Sequence, residues 1–276
     1  MVQWHPLQTP IERKPRGNKK LNAAPPVILS TGFIFLILLG AILLKLPFAA
    51  HIPISWEQSL FTATSAVTVT GLVVVDTGSA FTAFGQGVIA LLIQLGGLGL
   101  MTFAVVTLIA LGNKVGFMQK TITKAAYNQT DTSTLVSTAK SVLLFSLLVE
   151  SLGITILTLY WGQEMGWLKA FAHAVFYTIS AFNNAGFALS PNSLMAYVAD
   201  PVVNLTITGL FIIGGLGFTV LMDLYKSKRW AKLCTYSKLM ILSTIVINVV
   251  ALLLIYVIEY NNPNTLQPLS ELGKWL

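Results

Sequence analysis

A twelve-residue block occurs twice in this chain, and this duplication constrains the architecture more than any other feature. The first copy, at residues 61–72, reads FTATSAVTVTGL, and the second, at residues 176–187, reads FYTISAFNNAGF. An apolar segment precedes each copy and another follows it. Each following segment carries Gly-Gly-Leu-Gly, at residues 96–99 and 214–217. The pattern predicts a helix, loop, helix unit that is built twice.

Composition places these units in a membrane. Hydrophobic residues make up 55% of the chain and charged residues only 10%, with a mean hydropathy of +0.75. A soluble globular protein has about a quarter of its residues charged. The pI near 9.5 does not indicate nucleic-acid binding, because the basic residues lie in the gaps between apolar runs and not on one face with interleaved aromatics. Cys234 is the only cysteine, which excludes an internal disulfide.

Five apolar segments are long enough to cross the hydrocarbon core of a bilayer, which takes about 20 helical residues. They are Val27–Leu46, Phe84–Leu111, Val142–Trp161, Val202–Leu221 and Leu239–Ile258. The first is longer than the core of a signal peptide, so we interpret it as a membrane helix. Two further apolar segments, Ser59–Val75 and Leu168–Leu189, are interrupted by Thr, Ser, Asn and Gly, and they contain the duplicated blocks.

The distribution of basic residues predicts how these segments are arranged. Three stretches hold 14 of the 17 Lys and Arg residues, and the positive-inside rule places all three in the cytoplasm. The stretches are Arg13, Lys14, Arg16, Lys19 and Lys20; Lys114, Lys120, Lys124 and Lys140; and Lys226, Lys228, Arg229, Lys232 and Lys238. If two basic stretches lie on the same side of the membrane, the chain between them must cross the membrane an even number of times. However, three apolar segments lie between each basic stretch and the next. One segment per interval therefore enters and leaves on the same side.

The duplicated blocks are the best candidates for these re-entrant segments, since they are the shortest and most polar. Non-helical backbone at membrane depth needs protein or a water-filled cavity around it, which implies an aqueous pathway. We predict an all-α membrane protein with two complete units of helix, re-entrant pore loop and helix, plus the first helix of a third. The predicted division is a basic cytoplasmic N-terminus (1–26), repeat 1 (27–112), a linker (113–140), repeat 2 (141–222), a second linker (223–238) and the start of repeat 3 (239–276). We expect the chain to be about half of a longer protein.

The two loops carry different chemistry at equivalent positions. β-Branched residues in Val67–Gly71 favour extended backbone with successive carbonyls along a narrow path, after a short helix over about Gln58–Ser65. Backbone carbonyls can replace the hydration shell of a monovalent cation. The second loop, Asn183–Gly186, keeps the glycine but has two carboxamides, which we expect to hold its shape through side-chain hydrogen bonds.

These motifs resemble a known family. SAVTVTGLVVVDT from Ser65, QLGGLGLMT from Gln94 and AFNNAGF from Ala181 are similar to the membrane subunit of the Ktr, Trk and HKT potassium transporters, and most similar to the bacterial Ktr type. The resemblance covers essentially the whole chain.

The resemblance implies a potassium-selective pore built from four repeats, with the filter glycines at Gly71 and Gly186. It implies potassium coordination by the backbone carbonyls before each glycine, at Val69, Thr70, Asn184 and Ala185. It also implies passive uptake that is often sodium-stimulated, a homodimer in the bacterial cell membrane, and a cytoplasmic nucleotide-binding ring that controls opening. No organic cofactor is expected on this chain.

The glycine clusters and Glu150 each have two interpretations from the sequence. The two Gly-Gly-Leu-Gly clusters fit close helix packing or a gating hinge. Glu150 lies in an apolar segment, where it either lines a water-filled vestibule or pairs with a cation, or is protonated and hydrogen-bonded between helices.

The outer face and the chain as a whole also have an alternative interpretation. His51, Glu57, Asp76 and His173 could form a metal or hydrolytic site, but their spacing matches no metal motif, and acids that concentrate cations explain them more simply. A membrane-embedded enzyme or scaffold is the alternative to a transporter. It would require paired acids or bases at membrane depth, and Glu150 is the only candidate.

Overall fold

The structure, a computed structural model, describes residues 25–99, 132–227, 229–263, 265–270 and 273–274. Over these ranges the chain is helical, without a strand beyond one isolated bridge between Ala50 and Phe81. The all-α prediction is therefore correct. The basic N-terminus and most of the first linker, with their clustered Lys and Arg residues, lie outside the described residues.

The helices of the described ranges follow the predicted order of long and short segments. They are α1 (Pro25–Leu44), α2 (Trp56–Val67), α3 (Thr77–Ala80), α4 (Ala83–Gly97), α5 (Thr132–Met165), α6 (Trp167–Phe182), α7 (Pro201–Gly215), α8 (Phe218–Ser227) and α9 (Thr235–Glu259). Helices α1, α2 and α4 pack against one another, as do α5, α6 and α7, and α4 also contacts α6. Each group thus holds one copy of the duplicated block in its short helix, α2 or α6.

One continuous apolar core joins the two groups. Leu44 and Ile89 from the first group belong to the same buried cluster as Leu157 and Val203 from the second. Ala63 and Ala174, which lie in α2 and α6, are completely buried in this cluster. The two short helices are therefore fixed by packing, because helices of this length gain most of their stability from tertiary contacts.

Local sequence explains where α2 begins. The Ser55 hydroxyl accepts a hydrogen bond from the backbone N–H of Gln58 at 3.1 Å, and the Gln58 side chain accepts one from the backbone N–H of Ser55 at 2.8 Å. This reciprocal pair is a capping box, which satisfies two helix-terminal donors at once. The predicted helix over Gln58–Ser65 is present, and it extends to Trp56 and Val67.

Two predicted membrane segments are not single helices. Within Val202–Leu221, α7 ends at Gly215 and α8 starts at Phe218, because Gly217 lies between them in the left-handed region (φ +82°). In the first group α4 ends at Gly97, and Gly99 has φ +75°. The rest of that segment lies outside the described residues. A left-handed glycine after the last turn is a common way to end a helix, and hydrophobicity alone does not reveal it.

Two helices of the described residues are long and apolar enough to span a membrane by length and composition, over Leu143–Met165 and Thr235–Glu259. Shorter apolar helices cover Ser30–Leu44, Ala83–Gly97 and Pro201–Gly215. Large apolar side chains are exposed along α9, for example Ile247 and Val257. Such exposed apolar surface on a helix is typical of a chain that contacts lipid or further helices.

Asp223 ties α8 to the start of α9. Its carboxylate accepts hydrogen bonds from the backbone N–H of Cys234 at 2.9 Å and from the Ser227 hydroxyl at 3.1 Å. Hydrogen bonding by the Ser237 side chain, followed by that from the Cys234 backbone, lowers the pKa of Asp223 to about 2. Arg229 and Lys232 of the second predicted linker are exposed near this turn.

Candidate functional site

The first duplicated block ends in a tight turn with an unusual backbone. The N–H of Thr70 donates to the carbonyl of Ser65 at 2.9 Å, and the N–H of Val69 donates to that of Ala66 at 3.3 Å. These two bonds define a Schellman motif, in which the residue after the helix cap is left-handed and is usually glycine. Here it is Val69, with φ +54°. A β-branched residue in this region is a genuine outlier, and such outliers cluster at functional sites.

The second block ends in the same turn. The N–H of Ala185 donates to the carbonyl of Ser180 at 2.7 Å, and the N–H of Asn184 donates to that of Ala181 at 3.0 Å. Asn184 has φ +57°, and asparagine tolerates this conformation better than valine does. Every one of these positions lies 115 residues after its counterpart in the first block. The duplicated sequence thus produces a duplicated backbone.

The extended backbone expected for Val67–Gly71 is therefore wrong at Thr68 and Val69. Thr68 is right-handed and Val69 left-handed, so the chain turns sharply where the β-branched sequence predicted a strand-like path. The physical reason is that the last carbonyls of a helix need donors, and the Schellman turn supplies them. In a strand, successive carbonyls point to opposite sides. A right-handed residue followed by a left-handed one orients its carbonyls differently.

The two turns meet at their glycines. Gly71 has φ +78° and Gly186 has φ +72°. A Cβ placed on Gly71 would lie 2.5 Å from the carbonyl oxygen of Ala185, and a Cβ on Gly186 would lie 3.5 Å from the Cα of Gly71. Glycine is required at the first position for space and at both for backbone conformation. Positions far apart in sequence are thereby brought into backbone contact.

Four carbonyl oxygens near this contact are available for a ligand. Within the part of the chain that the structure describes, no hydrogen-bond donor reaches the carbonyl oxygens of Val69, Thr70, Asn184 or Ala185. Ala185 is buried and Val69 half-buried, whereas Thr70 and Asn184 are exposed, so these oxygens are free to accept hydrogen bonds from water or to bind a ligand. A cavity of about 350 Å³ adjoins the second turn, and Ser180, Asn184 and Gly186 are among the residues that line it.

The Gly-Gly-Leu-Gly clusters support the turns from behind. A Cβ on Gly96 would lie 2.0 Å from the carbonyl oxygen of Val67, and a Cβ on Gly214 would lie 1.8 Å from that of Phe182. Val67 and Phe182 are the last residues of α2 and α6. Of the two interpretations, close packing is confirmed for these glycines, since no other residue leaves room for this approach. The hinge interpretation stays a prediction.

A partly buried series of side-chain hydrogen bonds holds the second turn. The Asn183 amide donates to the Gln94 Oε1 at 2.9 Å and to the Ile179 carbonyl at 2.9 Å. The Gln94 amide donates in turn to both carboxyl oxygens of Glu150, at 2.8 and 3.0 Å. The expectation that side-chain hydrogen bonds hold this loop is confirmed for Asn183. Glu150 is only 4% exposed and accepts hydrogen bonds from another helix, which confirms the hydrogen-bonding part of its second interpretation, whereas its protonation stays a prediction.

Gln94 is the functional candidate that sequence reasoning did not single out. It appears in the family motif, but its role depends on contacts with residues 56 and 89 positions away. The available signal was a carboxamide inside an otherwise apolar helix, directly before the glycine cluster. An amide in such a helix needs partners on another element, because burial without them is costly.

The outer polar residues are used locally. Asp76 caps α3 by accepting a hydrogen bond from the backbone N–H of Ser79 at 2.8 Å, and Glu57 lies in the first turn of α2. The His173 ring lies 6.3 Å from the Tyr177 ring in α6. Among the described residues, no three His, Cys, Asp or Glu side chains are grouped so that they could hold a metal ion.

Comparisons with known proteins match most of the chain. A family model described as TrkH, a cation transport protein, matches residues 22–245. The Ktr system potassium uptake protein B of Bacillus subtilis is 45% identical over 262 residues, which cover 95% of this chain and 59% of the relative. The protein of the same name from Vibrio alginolyticus is 40% identical, over 100% of this chain and 61% of the relative. The potassium/sodium uptake protein NtpJ of Enterococcus hirae is 34% identical, over 88% and 52%. The chain thus spans about three fifths or less of the length of these relatives.

Proposed function

Because the chain belongs to the TrkH family of cation transport proteins and is an all-α membrane protein, we propose that its two turns form part of the selectivity filter of a potassium uptake protein. The backbone carbonyls of Val69 and Thr70, with those of Asn184 and Ala185, replace water around the ion. Gly71 and Gly186 provide the conformation and the space. The ion moves down its electrochemical gradient.

The observation that carries this proposal is the backbone contact between the two glycines. Two turns with the same hydrogen bonds and the same left-handed residues converge, and they leave carbonyl oxygens without donors among the described residues. Carbonyl oxygens bind a potassium ion without burying a fixed charge, which a bilayer penalises. The relatives named as potassium uptake proteins support the choice of ion.

The finer features of the assembly belong to the same proposal. Residues 27–112 and 141–222 form two repeats whose blocks re-enter the membrane from outside, and residues 239–276 begin a third. The N-terminus is cytoplasmic in the cell membrane of a bacterium. The protein is a homodimer, works with a cytoplasmic nucleotide-binding ring, and is stimulated by sodium. Two relatives are named as protein B of a Ktr system, which fits a transporter with further components.

Rubidium uptake into liposomes that hold the full-length protein tests this function. We expect Gly71→Ser to reduce discrimination between potassium and sodium by about a hundredfold and Gly186→Ser by about tenfold, where each factor of ten equals about 1.4 kcal/mol. The difference arises because a Cβ at Gly71 would overlap the Ala185 carbonyl, whereas one at Gly186 meets ordinary contact distances.

Gly87→Ser is the matched control for these variants. Gly87 lies in α4, and a Cβ there would meet nothing within 4 Å. Uptake and selectivity should therefore equal those of the unmodified protein. Unchanged potassium selectivity in both filter variants, or no rubidium uptake by the unmodified protein, would contradict the proposed function.

A further inference from the structure

We propose that Glu150 is a positioning residue for the second turn: acting through Gln94, it fixes Asn183 and thereby sets the carbonyl groups of Asn184 and Ala185. This inference rests on the proposed function above. It assigns selectivity to a carboxyl group on another helix that does not itself contact the transported ion.

The direction of the hydrogen bonds makes Glu150 the final acceptor in the series from Asn183 through Gln94. Asn183 donates to Gln94, and Gln94 donates to both oxygens of Glu150. A carboxamide has one accepting and one donating end, so an acceptor at one end of the chain determines how every amide in it is oriented. Glu150 supplies that acceptor from α5, and with only 4% of it exposed, bulk solvent has little access to this position.

The oriented Asn183 amide is confined on its other side as well. Its Nδ2 also donates to the carbonyl of Ile179, one turn earlier in α6, at 2.9 Å. Its Oδ1 faces α4, where a Cβ on Gly97 would lie only 2.1 Å away. The side chain is thus held by two helices. It can reorient only if α4 and α6 move apart or the bond to Gln94 breaks.

Asn183 directly precedes the turn that is to be fixed. It is the cap residue of α6, and the left-handed Asn184 follows it. The carbonyl oxygen of Ala185 lies where it would be 2.5 Å from a Cβ on Gly71. A rotation of the Asn183 backbone would therefore move the carbonyls of the next two residues. Errors of about 1 Å are enough to impair a site that depends on geometry.

Over the residues that the structure describes, the first turn has no equivalent of the hydrogen bonds that connect the second turn to Glu150. The counterpart of Asn183 is Thr68, whose hydroxyl bonds to the carbonyl of Thr64 at 2.8 Å and to the Thr70 hydroxyl at 2.6 Å. Both partners belong to the same block, so the first turn is fixed locally. Loss of Glu150 should therefore disturb only half of the contact between the turns.

Rubidium uptake with sodium as competitor, in liposomes that hold the full-length protein, tests the role of Glu150. We expect Glu150→Leu to raise the KM for rubidium about tenfold and to increase inhibition by sodium, while the maximal rate per folded molecule changes less than twofold. Gln94→Leu should have the same effect. The double variant should be no worse than either single one, since both remove the same connection.

Two further variants separate positioning from folding and from charge. Leu157→Ala removes a completely buried side chain two turns away on α5, and it should lower the yield of folded protein without a change in KM. Glu150→Gln retains an acceptor oxygen for Gln94, and it should keep the KM within about threefold. If Glu150→Leu does not fold, the double variant carries the test, because it leaves neither Glu150 nor Gln94 unpaired.

The outcomes that would overturn the inference are distinct from failure of the function itself. If Gln94→Leu and the double variant had the same KM and the same sodium inhibition as the unmodified protein, the hydrogen bonds from Glu150 through Gln94 would not position the turn. A Glu150→Gln variant as impaired as Glu150→Leu would show that the negative charge acts on the ion directly. In both cases the unmodified protein would still transport rubidium, whereas failure of the proposed function abolishes that transport.

Discussion

The two turns share one backbone geometry but are stabilised in different ways. In the first, Thr64 and Thr68 hydrogen-bond within their own block, and the strained left-handed position is occupied by Val69. In the second, Asn184 occupies that position with less strain, and the Asn183 side chain depends on α4 and α5. The second turn keeps the equivalent local bond, from the Asn183 amide to the Ile179 carbonyl, and adds a bond to another helix, whereas the first turn, in the described part of the chain, has local bonds only and carries more strain.

This difference indicates which turn should respond to changes elsewhere in the molecule. The first is fixed by residues within a few positions of it, so its geometry should persist when neighbouring helices shift. The second is connected to α4 by one hydrogen bond, from Asn183 to Gln94, and through Gln94 to Glu150 on α5 by two more, so movement of either helix should reach it. The two turns are pseudo-symmetric in shape, but they should differ in how strongly they respond to movements of neighbouring helices.

The largest effects should come from the feature that the two groups share. Gly96→Ala and Gly214→Ala would each place a Cβ about 2 Å from a backbone carbonyl oxygen at the end of α2 or α6. We expect each to destabilise the protein by about 3 kcal/mol or more, because overpacking against backbone cannot be relieved by a rotamer change. Thermal unfolding of the purified protein in detergent measures the loss.

Matched controls exist in the same helices. Gly87 lies in α4 and Gly209 in α7, and a Cβ on either would meet nothing within 4 Å. Replacing either with Ala should leave stability unchanged or raise it by about 0.5–1 kcal/mol, as is usual in a helix interior. If Gly96→Ala unfolded at the same temperature as Gly87→Ala, close packing behind the first turn would be refuted.

An exchange of residues at the left-handed position should produce opposite effects in the two turns. Asn184→Val introduces a β-branched residue at φ +57°, and we expect it to lower stability by about 1–2 kcal/mol. Val69→Asn removes the same strain at φ +54°, and it should raise stability by a similar amount. Unfolding temperatures of the two single variants and of the exchange variant provide the measurement.

The exchange variant contains its own control. If strain is the only term, the two changes cancel and the exchange variant unfolds at the temperature of the unmodified protein. Two variants that both lose stability would mean that Val69 is held by packing that outweighs its backbone strain.

The smallest effect should distinguish two serines at equivalent positions. The buried Ser180 hydroxyl donates to the Phe187 carbonyl at 2.7 Å, whereas the buried Ser65 hydroxyl has no partner among the described residues. Ser180→Ala should therefore cost about 1 kcal/mol, and Ser65→Ala should be close to neutral. The difference in unfolding temperature between the two variants is the quantity to measure, and equal losses would contradict the asymmetry.

Much of the architecture could be predicted from local sequence patterns. Apolar runs and polar interruptions predicted the order of long and short helices, and the motifs around Gly71 and Gly186 predicted the family. The breaks after α4 and α7 were not predicted, because a left-handed glycine does not change hydrophobicity. The conformation of Val69 was predicted wrongly, since β-propensity was weaker than the need to satisfy the carbonyls at the end of α2.

The sequence by itself determined that this is a membrane protein with a duplicated helix and loop, because hydrophobicity, repetition and glycine placement act along the chain. The tertiary structure alone decided that Gly71 meets the Ala185 carbonyl and that Glu150 holds Asn183 through Gln94. These contacts join residues that are 56 to 114 positions apart. Their geometry depends on how α4, α5 and α6 pack, and no local pattern encodes distances between helices.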